Sequence, residues 1–234
     1  MKVYTDVIQG TPECLYLRAG LPTASNFDRI LTPGGKPSKS AEPYMFTLLA
    51  ERMMGHPVEE KGFSRWMDRG NEMEAEAVSF YHLQREDTVK VGFITNEAGT
   101  IGASPDRLVG DRGLLEIKVP AEHTHVSYLM QIGGAYQEYR VQVQGQLWIA
   151  EREWCDVLSY HPEMPPALYR IERDEDFIEK LACAVEAFAE VLEQHWATCV
   201  ANGWVAEPKP KPTPSASDMM REALLDAQRQ KESA

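Results

Sequence analysis

The chain has 234 residues, 43% of them apolar, with 24 lysines and arginines against 36 acids and a formal net charge of −12. That apolar share supports a sizeable core without disulfide or metal staples; the charge argues against general coating of nucleic acid, but not against an enzyme with a basic channel inside an acidic exterior. The cysteines, Cys14, Cys155, Cys183 and Cys199, have no C-x-x-C spacing, which disfavours a zinc or iron–sulfur site, and no apolar run approaches the ~20 residues of a membrane span.

The first residues, MKVYTDVIQGTPE, lack the apolar core of a signal peptide, so a soluble cytoplasmic protein is expected. Thr11 followed by Pro12 marks a helix start over Thr11 to Ala19. A second start falls at Thr23 or Ser25, before NFDRIL. The stretch LTPGGKPSKSAEP reads as a mobile loop with Lys36 and Lys39. Its Gly-Gly-Lys is no P-loop, because Pro37 follows the lysine and no glycine stands five before Gly35. Tyr44 to Met54 and Ser64 to Leu83 are helical by pattern.

Strands follow: TVKVGFIT from Thr88, then TIGAS, then GLLEIKV. Thr124 to Ala150 reads as helical, although YRVQVQGQLWI also has strand-like alternation. WCDVLSY and ALYRIER read as strands, and a long helix runs from about Asp174 to Val200 with Asp174, Glu175 and Asp176 at its start, where the dipole favours acids. One domain is expected over 1–205. Residues 206–234 form a proline-rich tether, AEPKPKPTPSAS, and then DMMREALLDAQRQ, whose Met219, Met220, Ala223, Leu224 and Ala227 fit either an amphipathic helix or a frayed terminus.

The chemistry concentrates in GASPDRLVGDRGLLEIKVP. Strand side chains alternate between faces, so Glu116 and Lys118 share one face and Leu115, Ile117 and Val119 the other. A hairpin between Thr100 and Val119 brings Asp106 beside Glu116, an oxygen-rich pair suited to a small divalent cation such as magnesium. A lysine beside two carboxylates can orient water or stabilise charge on a phosphate. On its helix, Glu74 lies on the apolar stripe with Met67, Gly70, Ala77, Val78 and Tyr81, whereas Arg65, Asp68, Arg69, Glu72 and Glu76 face away. A carboxylate on the core side calls for a compensating cation. His123 and His125 have no third ligand at a recognisable spacing and are read as solvated loop histidines.

SPD followed by EIK fits the PD-(D/E)-x-K nuclease pattern. With LRAGLPTAS, RGNEMEAEA, YRVQVQGQLWIA and IERDEDFIEKL in this order, the chain resembles the phage lambda exonuclease and YqaJ-type viral recombinase family from about Leu17 to Leu192. The resemblance implies an α/β fold with a restriction-endonuclease-like core, a central mixed β-sheet flanked by helices. It implies a processive, magnesium-dependent 5′→3′ exonuclease on double-stranded DNA ends, with manganese able to substitute, that leaves 3′ single-stranded overhangs for recombination in the cytoplasm of a bacterial host. A homotrimer and a single-strand annealing protein as partner are also implied.

By the same resemblance, Asp106 and Glu116 ligate metal with the backbone carbonyl of Ile117, and Glu74 supports the metal through water. Lys118 positions or activates the attacking water, and Gln142 lies near the nucleophile or the scissile phosphate. Arg18, Ser25 and Ser104 bind the 5′-terminal phosphate. The chain departs from the phage lambda member at Val119, where that member has a cysteine, and in a shorter stretch between Lys118 and Gln142. Two other readings stay open: another PD-(D/E)-x-K nuclease, such as a structure-specific endonuclease or repair nuclease, and a DNA-binding protein without catalysis.

Overall fold

A computed structural model of the chain describes residues 1–58, 64–130 and 134–205, without side chains for 64–72 and 134–136; the amphipathic segment expected in the tail lies outside the described residues. The first strand, β1 (Lys2–Tyr4), is followed by α1 (Pro12–Arg18), capped as expected, with the Thr11 hydroxyl accepting from the Cys14 N–H. The next segment, Ala24–Arg29, is a 3-10 helix with Thr23 as its N-cap. Ser25 therefore lies inside the turn and does not cap it. Helices α2 (Ala41–Met54) and α3 (Ser64–Gln84) follow the sequence pattern.

The loop between the 3-10 helix and α2 is not loose. Leu31 bridges Pro37, the Thr32 N–H donates to the Lys36 carbonyl, and Arg140 donates to the Pro33 carbonyl. The expectation of a mobile loop overlooked this internal turn, which pins Lys36 and its neighbours to the helix that carries Arg140.

The segment TVKVGFIT is two strands, not one. Its first part, β2 (Thr88–Lys90), and its second, β3 (Phe93–Thr95), belong to different sheets. The break falls at Gly92, whose N–H donates to the Tyr4 carbonyl and where an added Cβ would lie 1.9 Å from the Val7 carbonyl oxygen. Only glycine lets the amino-terminal segment cross so close. Strand β3 joins β1 and β4 (Gly102–Ala103) in an antiparallel three-stranded sheet.

The larger sheet has the order β2, β5 (Arg107–Val109), β6 (Gly113–Lys118), β7 (Trp154–Ser159), β8 (Ala167–Glu172). It is mixed: β6 and β7 run parallel and the other neighbours antiparallel. The parallel pair needs a crossover, supplied by α4 (Glu122–Met130) and α5 (Gly134–Ile149). YRVQVQGQLWI is thus helical, its strand-like alternation notwithstanding. The last helix, α6 (Glu175–Ala201), starts at Asp174, whose carboxylate accepts from the Phe177 N–H; its hydrogen bond with Arg140 holds that carboxyl below the usual range.

Helices cover both faces of the sheet. Leu114, Cys155, Val157 and Ile171 belong to the core that includes α2, α5 and α6. Val109, Leu115, Trp154 and Leu158 pack with Ala77 and Tyr81 of α3. Every residue of β7 is buried, as a central strand covered on both faces requires.

Asp156, buried on β7, ties α3 to the sheet. Its carboxylate accepts from Tyr81 Oη at 2.7 Å and from Arg170 Nε and Nη2 at 2.8 and 2.9 Å, and Arg170 lies over the Trp154 ring. Removing one partner of such a network leaves the others with unspent donors. Asp156→Ala should cost roughly 2–3 kcal/mol, below the usual figure for a fully buried pair, because Arg170 can regain water. Urea denaturation checks this: a midpoint within experimental error of the unsubstituted chain rejects the tie.

Candidate active site

The β5–β6 hairpin pairs Arg107 with Leu115. Extending that register by one residue sets Asp106 opposite Glu116, on the face where Glu116 and Lys118 both project. The hairpin predicted between Thr100 and Val119 therefore exists, in a shorter form. Its first strand, RLV, carries too few apolar residues to be legible. The Ile117 N–H donates to Asp106 Oδ2 at 2.6 Å, and the carbonyl of the same residue leaves the strand on that same side.

Glu116 is buried and its carboxylate is held at both oxygens. Lys118 Nζ donates to Oε1 at 2.7 Å, and Gln142 Nε2 donates to the same atom at 2.6 Å. Gln146 Nε2 donates to Oε2 at 2.8 Å. Lys118 also reaches Gln142 Oε1 at 3.3 Å and lies 4.4 Å from the centre of the Tyr139 ring. Gln142 and Gln146 are one helical turn apart on α5, so both meet the same carboxylate. Sequence reading found Gln142 but missed Gln146 and Tyr139; the i, i+4 spacing of the glutamines was the available signal.

Electrostatics follow the packing. Burial, then the Glu116 charge, pushes the Asp106 carboxyl well above its usual range; Lys118 and the Ile117 N–H oppose this, and Glu74 adds to it. For Lys118, burial pulls against the charged form, but the Glu116 and Asp106 carboxylates outweigh it and raise its pKa. Without a cation at the site, Lys118 is thus a firmly held ammonium. Burial likewise raises the Tyr139 phenol.

Two facing carboxylates, one of them driven towards its protonated form, are a charge arrangement that a cation relieves. Asp106, Glu116 and the Ile117 carbonyl present hard oxygen atoms on one side of the hairpin, the donor chemistry that suits a divalent cation keeping most of its waters. They do not make an all-protein cage: among the described residues, no three His, Cys, Asp or Glu side chains converge as metal ligands.

Glu74 reaches the edge of this site from α3, on the other face of the sheet. Its Oε1 lies 3.1 Å from Lys90 Nζ and 3.6 Å from Arg107 Nη2. The compensating cations for this carboxylate are therefore side chains, close enough for Glu74 to influence Asp106 but on separate partners.

Of the residues expected at a terminal phosphate, Arg18 and Ser25 meet directly: Arg18 Nη2 donates to Ser25 Oγ at 3.3 Å. Thr23 and Asn26 complete the group, 3.3 and 3.5 Å from the same hydroxyl. The Thr23–Gly102 bridge and the bond from the Gly102 N–H to the Pro22 carbonyl stitch this turn to β4. Ser104, two residues along the same chain, has a buried hydroxyl with no hydrogen-bond partner among the described residues, and leads through Pro105 to Asp106.

The histidines differ from expectation. His123 is exposed, but His125 is fully buried on α4, with Nδ1 bonded to Ser159 Oγ and Nε2 to the Pro165 carbonyl. On a helix, residues two apart face different directions, so one is solvated and the other belongs to the core. The thiols are free as expected, with Cys14, Cys155 and Cys199 buried and Cys183 exposed. Among the described residues, no helix is long and apolar enough to cross a membrane.

Comparison with known families matches residues 13–153 to the YqaJ-like viral recombinase domain. Among solved structures, the chain is similar to LHK-Exo, an alkaline exonuclease from Laribacter hongkongensis, at 33% identity and a TM-score of 0.73, covering 82% of this chain and 98% of that one. A second structure of LHK-Exo, in complex with dAMP, matches at the same identity and TM-score over 84% of this chain and 100% of that one. A phage-related exonuclease from Haemophilus somnus shares the fold at 16% identity and a TM-score of 0.60, over 76% of this chain and 96% of that one. A search of curated proteins gave no match.

Proposed function

This chain belongs to the YqaJ-like viral recombinase family, and from that premise we propose that it is a magnesium-dependent, processive 5′→3′ exonuclease that degrades one strand of duplex DNA from its end. The observation that carries this reading is Asp106 facing Glu116 across the hairpin, with Lys118 and Gln142 fastened to the same carboxylate. Similarity to an alkaline exonuclease supports it, and the complex of that relative with dAMP supports a site that handles deoxynucleotides.

Asp106, Glu116 and the Ile117 carbonyl would hold the divalent cation, magnesium or in its place manganese. When bound, the cation supplies countercharge to the carboxylates and electrophilic assistance at the phosphate. Glu74 would support this ion through water, once its carboxylate is freed from its side-chain partners. Lys118 Nζ, held as an ammonium against Glu116, positions the attacking water and offsets charge that develops on the phosphate; Gln142, fixed by donating to Glu116, turns its own carbonyl towards Lys118 and limits where that ammonium can go. Gln146 keeps the second oxygen of Glu116 from rotating away.

Arg18, Ser25 and Ser104 would take the 5′-terminal phosphate, with Thr23 and Asn26 orienting the Ser25 hydroxyl. A guanidinium and hydroxyl donors suit that dianion. The working form is a homotrimer, and a single-strand annealing protein receives the 3′ overhang; both parts of the proposal rest on family resemblance.

The test is digestion of end-labelled duplexes in magnesium. Substrates with a 5′-phosphate should lose their 5′ label first, those with a 5′-hydroxyl should react more slowly, and closed circles should stay intact. Cutting of closed circles would sink the end-dependent reading. In the same assay Arg18→Ala should slow phosphorylated ends about 10–100-fold, the worth of one hydrogen bond to a charged group, with a small effect on hydroxyl ends. Equal loss on both ends would reject the role of Arg18.

A further inference from the structure

Lys90 on β2 and Arg107 on β5 are direct cross-strand partners. Like charges in that position repel, and the pair stands at the edge of the sheet one residue from Asp106. Among the described residues one carboxylate, Glu74, lies between them; it pairs with Lys90 but serves Arg107 poorly. It is 3.1 Å from Lys90 Nζ but 3.6 Å from the Arg107 guanidinium, beyond hydrogen-bond reach. The Arg107 side chain is only 8% exposed, and its Nε is buried with no hydrogen-bond partner among the described residues. A buried guanidinium with an unspent donor is a costly group unless an anion completes it. Lys90, 39% exposed, opens the pair to solvent.

A phosphodiester has what this place lacks: an anionic group whose two free oxygens can satisfy a guanidinium fork and an ammonium together. We propose that Lys90 and Arg107 form a second subsite that binds a backbone phosphate of duplex DNA beside the reactive carboxylates, with Glu74 as the internal anion that the phosphate displaces. The subsite is separate from the Arg18–Ser25 group, because it lies on the α3 side of the sheet. Displacement also frees Glu74 to turn towards Asp106. The proposal rests on the nuclease reading above, since it takes DNA as the ligand.

The experiment measures binding of a 5′-phosphorylated blunt duplex in EDTA, by fluorescence anisotropy over a series of salt concentrations. Lys90→Gln, half-exposed and so safe for folding, should weaken binding roughly three- to tenfold and reduce the slope of log affinity against log salt by about 1. Arg107→Gln should do the same, with its melting temperature recorded to confirm folding. Arg112→Gln, at the far end of the hairpin and paired with Glu153 at the surface, serves as control and should leave the slope unchanged. Glu74→Gln should tighten binding, and that gain should vanish in the Lys90→Gln background. An unchanged slope in Lys90→Gln, or an equal gain from Glu74→Gln in both backgrounds, overturns the subsite while leaving the nuclease reading intact. If the unsubstituted chain binds no duplex at any salt concentration, the nuclease reading falls and the subsite with it.

Discussion

Asp106→Asn should abolish cleavage and, in the same molecule, raise the melting temperature of the cation-free protein. The two effects have one cause. Asp106 is desolvated and faces the Glu116 carboxylate, so its folded-state pKa lies well above the ordinary value of 3.8. A carboxyl raised on folding contributes stability that is fully present below its unfolded value and is lost as the pH rises through its folded value. At pH 7 to 8 the aspartate is therefore a net cost to the fold beyond what Lys118 and the Ile117 N–H offset, and a bound cation relieves it. Asparagine carries no charge yet keeps an oxygen to accept from the Ile117 N–H. The gain should be about 0.5–2 kcal/mol, in the range seen when a functional strain is removed, and a few degrees of melting temperature. It should shrink as the pH is lowered towards 4. Added magnesium should stabilise the unsubstituted chain and leave the variant unmoved. Calorimetry with and without EDTA across this pH range decides it; a lower melting temperature for Asp106→Asn at pH 8 would contradict the electrostatic account.

Parts of this site could be read from sequence because they depend on local periods. The alternation in LLEIK places Glu116 and Lys118 on one face whatever the rest of the chain does, and β6 keeps that alternation. The turn residues between Val109 and Gly113 imply a hairpin, and a hairpin sets Asp106 opposite Glu116. The α6 start followed from its acids for the same local reason, and the structure adds that Asp174 is its cap. Other features depend on which elements meet. Nothing in the order of residues says that β2 lies beside β5, so the pairing of Lys90 with Arg107, and Glu74 between them, stayed hidden. The stripe on α3 did place Glu74 towards the sheet, but not on which partner. His125 looked like half of a polar His-Thr-His loop, and only the packing of α4 against β8 makes it a core residue with both nitrogens engaged. The split at Gly92 depends on a crossing by the amino terminus, some 85 residues earlier in the chain.

Lys118→Ala should lower the single-turnover cleavage rate by about 10²–10³-fold, the scale of losing one positioned donor that stabilises developing charge, while duplex binding changes little. The geometry explains why no neighbour can take over. Gln142 reaches the same Glu116 oxygen, but it is neutral and already committed through its amide. Arg107 faces the other side of the sheet, 3.6 Å from Glu74. Lys118→Arg should not restore the rate, since a planar fork cannot place one donor where Nζ sits between Glu116, Gln142 and the Tyr139 ring. Stability should move opposite to Asp106→Asn. Lys118 is the positive charge that offsets Asp106 and Glu116, so its removal leaves the buried Glu116 and the half-buried Asp106 carboxylates facing one another and should lower the melting temperature in EDTA. Magnesium should then recover more stability in Lys118→Ala than in the unsubstituted chain, because the ion replaces countercharge that the variant lacks. Rapid-quench digestion of an end-labelled duplex, anisotropy binding and calorimetry on the one variant separate these effects. A cleavage rate within threefold of the unsubstituted chain would overturn the assignment of Lys118, whatever the fold.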